Sequence, residues 1–156
     1  MEKSLFRSTL ELYVFGFFKV PMIFFCRPRI VAFDEEKVEV KIPLRRRTKN
    51  HLNSMYFGAL AVGADVAGGF IAYDQIKRSG NKVSLVFKDF TASFYKRPEA
   101  AVHFTCADGL LIKKMIEETI TTKERVSELV KITACCPSIS DEVVAEFTLT
   151  LSLKSK

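Results

Sequence analysis

Residues 54–76 constrain this chain more than any other stretch. They carry Gly58, Gly63, Gly68 and Gly69 together with five alanines, yet no residue in their interior breaks a helix outright. Asn53 or Ser54 is a natural N-cap and the run Ser79, Gly80, Asn81 a natural stop, so the pattern predicts one long helix. A glycine inside a helix costs about 1 kcal/mol relative to alanine. Four within twelve positions therefore imply close approach: either a sheet wraps tightly around this helix or a ligand lies against it. With 156 residues there is room for one such helix and one sheet. The expectation is a single domain over 1–156, with 1–27 as an N-terminal helical extension and 28–156 as its core.

Downstream of Pro28 the periodicity changes to alternation. Val38, Val40, Ile42 and Leu44 alternate with Glu39 and Lys41, the mark of a strand with one wet face, and Pro43 suggests that this strand lies at an edge or exits irregularly. Val83, Leu85 and Phe87 share one parity, and Phe90, Ala92 and Phe94 the other, so a bulge is expected at Lys88 and Asp89. Residues 101–107, 126–134 and 145–153 read as further strands, and 109–120 as a short helix. One long helix against one curved antiparallel sheet is an α+β architecture.

The N-terminal segment is nearly all apolar from residue 10 to 26, but Glu11, Lys19 and Pro21 interrupt it. A bilayer span needs about 20 predominantly apolar residues, and no small-residue cleavage site follows the run. Phe6, Leu10, Tyr13 and Phe17 fall at i, i+4, i+7 and i+11 beside Val14 and Phe18, which predicts a helix packed by that aromatic stripe. The expectation is a soluble cytoplasmic protein without membrane contact, peripheral contact by this helix being the alternative. The four cysteines have no zinc-knuckle spacing and lie far from the two histidines, so they read as buried thiols in a reducing compartment. A formal charge of +6 favours an anionic partner, but 18 acidic residues interspersed among 24 basic ones argue against a nucleic-acid binder. No motif for a metal, nucleotide or flavin is present.

The run from Asn50 to Asp65, Asn-His-Leu-Asn-Ser-Met-Tyr-Phe-Gly-Ala-Leu-Ala-Val-Gly-Ala-Asp, resembles the signature of PaaI-like acyl-CoA thioesterases of the hotdog-fold superfamily. There an Asn and a Met-His-Gly-Gly-Ala-Leu run lead into the helix, and an acidic residue sits two turns on. The resemblance extends over residues 83–107 and the last strand. It implies a hotdog fold, with an antiparallel sheet wrapping a central helix and the N-terminal helix as an addition. It also implies a homodimer or homotetramer with active sites between subunits, and an acyl-CoA or similar acyl thioester as substrate. Coenzyme A enters as part of that substrate, and no cofactor is expected. Tyr56 and Phe57 stand where the signature has His-Gly, and Phe57 narrows the approach to the helix entry. The alternative is a non-catalytic hotdog module that binds an acyl chain or only packs as a dimer.

Thioester hydrolysis needs a base or nucleophile, stabilisation of an oxyanion, and room for the acyl group and its carrier. Asp65, alone among small residues, is the candidate for the first, because desolvation would raise its pKa toward a base's useful range. The competing role is an ion pair across the fold. The backbone N–H groups of Phe57 and Gly58 are candidates for the second. Asn50 or Asn53 would orient the water or bind the oxygen, or simply cap the helix, which suits Asn53 better. Tyr56 and the basic run Arg45, Arg46, Arg47 and Lys49 are candidates for substrate contact, the run with coenzyme A phosphates. Phe87, Phe90, Phe94 and Phe104 line an acyl tunnel or form ordinary core.

Overall fold

The computed structural model describes residues 4–156, and the prolines, glycines and Asx turns of the sequence set most of its boundaries. In chain order the elements are α1 (Leu5–Lys19), α2 (Pro21–Cys26), β1 (Arg29–Phe33), β2 (Val38–Ile42), α3 (Phe57–Ser79), β3 (Val83–Phe94), β4 (Val102–Cys106), α4 (Gly109–Thr122), β5 (Arg125–Cys136) and β6 (Ser140–Ser155). Pro21 opens α2 at its first turn, where no N–H is needed. Asp34 Oδ1 accepts the amides of Glu36 and Lys37, both at 2.8 Å, and so folds the turn between β1 and β2. Gly80, at φ 70°, ends α3 at the expected stop.

The six strands form one antiparallel sheet in the order β1-β2-β4-β5-β6-β3, which packs around α3 as the hotdog architecture requires. Its edges are β1 and β3. The strand beginning at Val38 is therefore no edge strand: β2 is laddered to β1 on one side and β4 on the other, and Pro43 falls just past the ladder, where its missing N–H costs nothing. The expected bulge is present in β3. Phe87 pairs with Leu151 and Phe90 with Leu149, so β3 spends one residue more than β6. Asp89 occupies the gap, accepting the Thr150 amide at 3.0 Å and the Thr150 hydroxyl at 2.8 Å.

The long helix starts three residues later than the N-cap signal at Ser54. Its cap is Tyr56, with extended backbone at φ −62° and ψ 135°. A tertiary contact overrides the local signal: the Met55 amide donates to the Pro98 carbonyl at 2.8 Å and the Met55 side chain is buried, which holds the chain extended until Tyr56. Close approach accounts for Gly63, where a Cβ would lie 2.2 Å from the ring of Phe104, itself fully buried in β4.

α1 reverses the expectation drawn from its aromatic spacing. Its buried residues are Ser8, Leu12 and Gly16, while Phe6 is 78% exposed and Phe18 73%, with Leu10, Val14 and Phe17 also exposed. Small residues carry the packing because the backbones come so close: a Cβ on Gly16 would lie 2.9 Å from the Phe24 nitrogen. Phe6, Leu10, Val14, Phe17 and Phe18 are left exposed.

Candidate functional site

α1 and α2 lie across α3 and leave a cavity of about 500 Å³ between themselves, α3 and the middle of β3. Leu12, Phe15, Val20 and Ile23 line it from the N-terminal helices, Asp65, Val66, Gly69, Phe70 and Tyr73 from α3, and Leu85, Val86 and Phe87 from β3. Those α3 positions follow helical spacing from Asp65. Gly69 keeps this side of the helix low, since a Cβ there would meet only the Phe87 ring, at 3.7 Å. Phe15 and Tyr73 close one end with ring centroids 5.7 Å apart. The walls are overwhelmingly apolar.

Asp65 is half-buried in this cavity and has no hydrogen bond or ion pair among the described residues. Desolvation alone pushes its carboxyl above the ordinary carboxylate value. The only other carboxylate on the lining is Glu11, which meets Lys77 Nζ at 3.5 Å and Arg7 Nε at 3.7 Å and so is partly neutralised. In sequence Glu11 reads only as an interruption of an apolar run. Its spacing of four from Arg7 is the one local sign of a pairing, and its place over α3 is purely tertiary.

The helix entry retains two free donors. The Tyr56 carbonyl accepts the amides of Ala59 and Leu60, at 2.9 and 3.1 Å, while the amides of Phe57 and Gly58 make no hydrogen bond among the described residues. The Tyr56 ring lies over Gly58, so close that a Cβ there would be 2.3 Å from it, and stacks on Phe57 at 4.9 Å. At a rise of about 1.5 Å per residue, these amides and Asp65 lie roughly 10–12 Å apart along α3. One chain does not bring them together.

The two asparagines sit in the loop before the helix. Asn50 Oδ1 accepts the Leu52 amide at 2.9 Å, the Ser54 amide at 3.3 Å and the Ser54 hydroxyl at 3.2 Å, so its oxygen is occupied in holding the loop. Asn53 is exposed in the left-handed region at φ 59° and does not cap α3. Arg45, Arg46, Arg47 and Lys49 are exposed on the turn ahead of that loop, and none lines the cavity. Of the four phenylalanines, Phe87 lines the cavity, Phe104 is core, and Phe90 and Phe94 are exposed on β3. Among the described residues no group of three His, Cys, Asp or Glu is placed to hold a metal ion. All four cysteines are free, and burial pushes the Cys106 thiol up to about 11.

Residues 11–152 match the family described as a domain of unknown function, DUF4442. The chain belongs to this family. No curated protein matches the DUF4442 chain. Among solved structures it is similar to a protein of unknown function from Chlorobaculum tepidum, with a TM-score of 0.83 at 11% identity over 98% of each chain. It is also similar to a thioesterase from Haemophilus influenzae, with a TM-score of 0.71 at 14% identity over 99% of this chain and 93% of that one. A mutant thioesterase from Pseudomonas aeruginosa superposes with a TM-score of 0.70 at 14% identity, covering 100% of this chain and 97% of the other. At these identities the likeness establishes the hotdog fold for this DUF4442 protein.

Proposed function

We propose that this DUF4442 protein hydrolyses an acyl thioester whose acyl chain occupies the cavity between α1–α2, α3 and β3. The observation that carries this reading is Asp65: a carboxylate unpaired among the described residues, on an apolar cavity wall beside a glycine that leaves room for a ligand. A structural acid at such depth takes a cation, whereas a general base benefits from having none. Asp65 takes a proton from water as the water oxygen bonds to the thioester carbonyl carbon. The tetrahedral oxyanion collapses, the C–S bond breaks, and the returned proton leaves with the thiolate as the free thiol.

The oxyanion requires donors that one chain holds two helical turns away. A homodimer or homotetramer with α3 helices running antiparallel would set the Phe57 and Gly58 amides of one copy against Asp65 of the other. β3 suits such an assembly, since it is a twelve-residue edge strand with Phe90 and Phe94 exposed and exposed Tyr95 just past its end. The exposed turn 45–49 and Tyr56 are available to the carrier, coenzyme A in this reading. Free thiols, three of them buried, suit a reducing compartment such as the cytoplasm.

One observation favours the non-catalytic module: the Tyr56 ring covers Gly58 at the helix entry. A hydrolysis screen over acyl-CoA chain lengths with wild type and Asp65→Asn separates the two. The enzyme reading expects turnover of at least one chain length and its loss in the variant, with the melting temperature level or slightly raised. Saturable acyl-CoA binding without turnover in the wild type assigns the protein to acyl binding.

A further inference from the structure

We infer that the outer face of α1 and α2 docks on the surface of an anionic phospholipid bilayer. α1 packs inward through Ser8, Leu12 and Gly16, and leaves Phe6, Leu10, Val14, Phe17 and Phe18 facing solvent. Met22, 61% exposed, and Phe25, 50% exposed, continue this surface along α2. Six of the chain's fourteen phenylalanines lie in residues 5–26. Exposed apolar side chains grouped in this way mark an interaction site.

Charge selects the occupant. Residues 4–29 hold Arg7, Lys19, Arg27 and Arg29 against a single acid, Glu11, which faces the cavity and is paired with Arg7 and Lys77. The basic turn 45–49 abuts the same helices: Arg47 Nη1 donates to the Phe25 carbonyl at 3.4 Å, and its guanidinium lies 5.3 Å from the Phe25 ring centroid. Aromatic and aliphatic side chains flanked by Lys and Arg with no free acid are what the headgroup boundary of an anionic bilayer accepts. A second copy seated on this face would bring two like-charged clusters together. No helix among the described residues is long and apolar enough to cross a membrane, so the contact lies in the plane of the surface. Because the inner faces of the same two helices roof the cavity, docking would place that roof against lipid.

The test is flotation of the full chain with vesicles of phosphatidylcholine alone and of phosphatidylcholine with phosphatidylserine. Wild type should float with the anionic vesicles, and binding should fall about tenfold or more with neutral vesicles or high salt. Phe6→Glu/Phe18→Glu should lose about as much on anionic vesicles, with its melting temperature and oligomeric mass unchanged. A second variant, Lys19→Gln/Arg29→Gln, leaves the aromatic face intact and should also weaken anionic-vesicle binding. Absence of wild-type flotation at low salt, or flotation of the double-Glu variant at the wild-type level, overturns the proposal. A fall in oligomeric mass of the double-Glu variant, with no wild-type flotation, assigns the face to a second copy instead. Binding is read without turnover, so the outcome is independent of the hydrolytic reading.

Discussion

Asp65 and Asp74 lie nine residues apart on the same helix, and the protein treats them in opposite ways. Asp74 is the deeper, only 2% exposed, but Arg78 one turn on meets its Oδ2 at 2.7 Å, and its cavity of about 300 Å³ is lined by Glu35, Lys113 and other charged groups. Asp65 is less buried and has no cation partner among the described residues, and its cavity is apolar. Burial alone does not mark a functional carboxylate. The distinguishing feature is burial that the fold leaves uncompensated, because a paired acid holds structure while an unpaired one stores free energy that chemistry can use.

The largest expected effect tests that distinction at Asp65. Asp65→Asn keeps size and hydrogen-bonding reach but removes the base, so hydrolysis should fall roughly 10²- to 10⁴-fold, while the melting temperature stays level or rises slightly. Steady-state turnover of the best acyl-CoA, read with a thermal melt, checks both. A lower melting temperature with turnover intact would put Asp65 in the same class as Asp74.

Asp74→Asn should give the reverse pattern. Losing the ion pair between this buried carboxylate and Arg78 costs about 1–3 kcal/mol, the lower end being expected because Arg78 is half-exposed and stays solvated. Denaturant melts should record that loss while kcat/KM changes little. Equal losses of activity in the two variants would break the comparison.

Gly69→Ala sharpens it from the side of the cavity. The new methyl would meet the Phe87 ring at ordinary contact distance, 3.7 Å, so the fold should gain up to about 1 kcal/mol from improved helix propensity. The same methyl enters the space beside Asp65 and should move the acyl-chain preference toward shorter chains, a change visible in a chain-length series.

The smallest effect is pH-dependent. Burial raises the Asp65 pKa, so the folded state holds this proton more tightly than the unfolded one. That contribution to stability is fully present below the ordinary value of 3.8 and is lost as pH rises through the raised value. Wild type should therefore lose stability relative to Asp65→Asn across that window, and hydrolysis should rise over the same range as the base ionises. Paired melts of the two proteins as a function of pH check the sign.

Most of the fold was legible because periodicity recorded it directly. The small-residue run marked α3, a parity switch marked the bulge at Asp89, and alternation marked β2, β3, β5 and β6. Asp65 stood out for the same reason, as an acid among glycines and alanines. What the sequence concealed depended on tertiary contacts. The start of α3 yielded to the Met55–Pro98 hydrogen bond, Asn50 turned out to brace its own loop, and β2 acquired neighbours on both sides. α1 misled most, because spacing identifies which residues share a face and does not say which face packs; there Ser8 and Gly16 outweighed Phe6, Phe17 and Phe18 by letting backbones touch.

The pairing of β3 with β6 has a consequence for biosynthesis. Val83 pairs with Ser155 and Phe94 with Ala145, so every rung of this ladder closes a loop of about fifty to seventy residues. On the ribosome the phenylalanine-rich β3 emerges long before the strand that covers it, and long-range rungs of this kind form slowly. During that interval the nascent chain presents an unpaired aromatic strand, which is open to off-pathway association until β6 covers it.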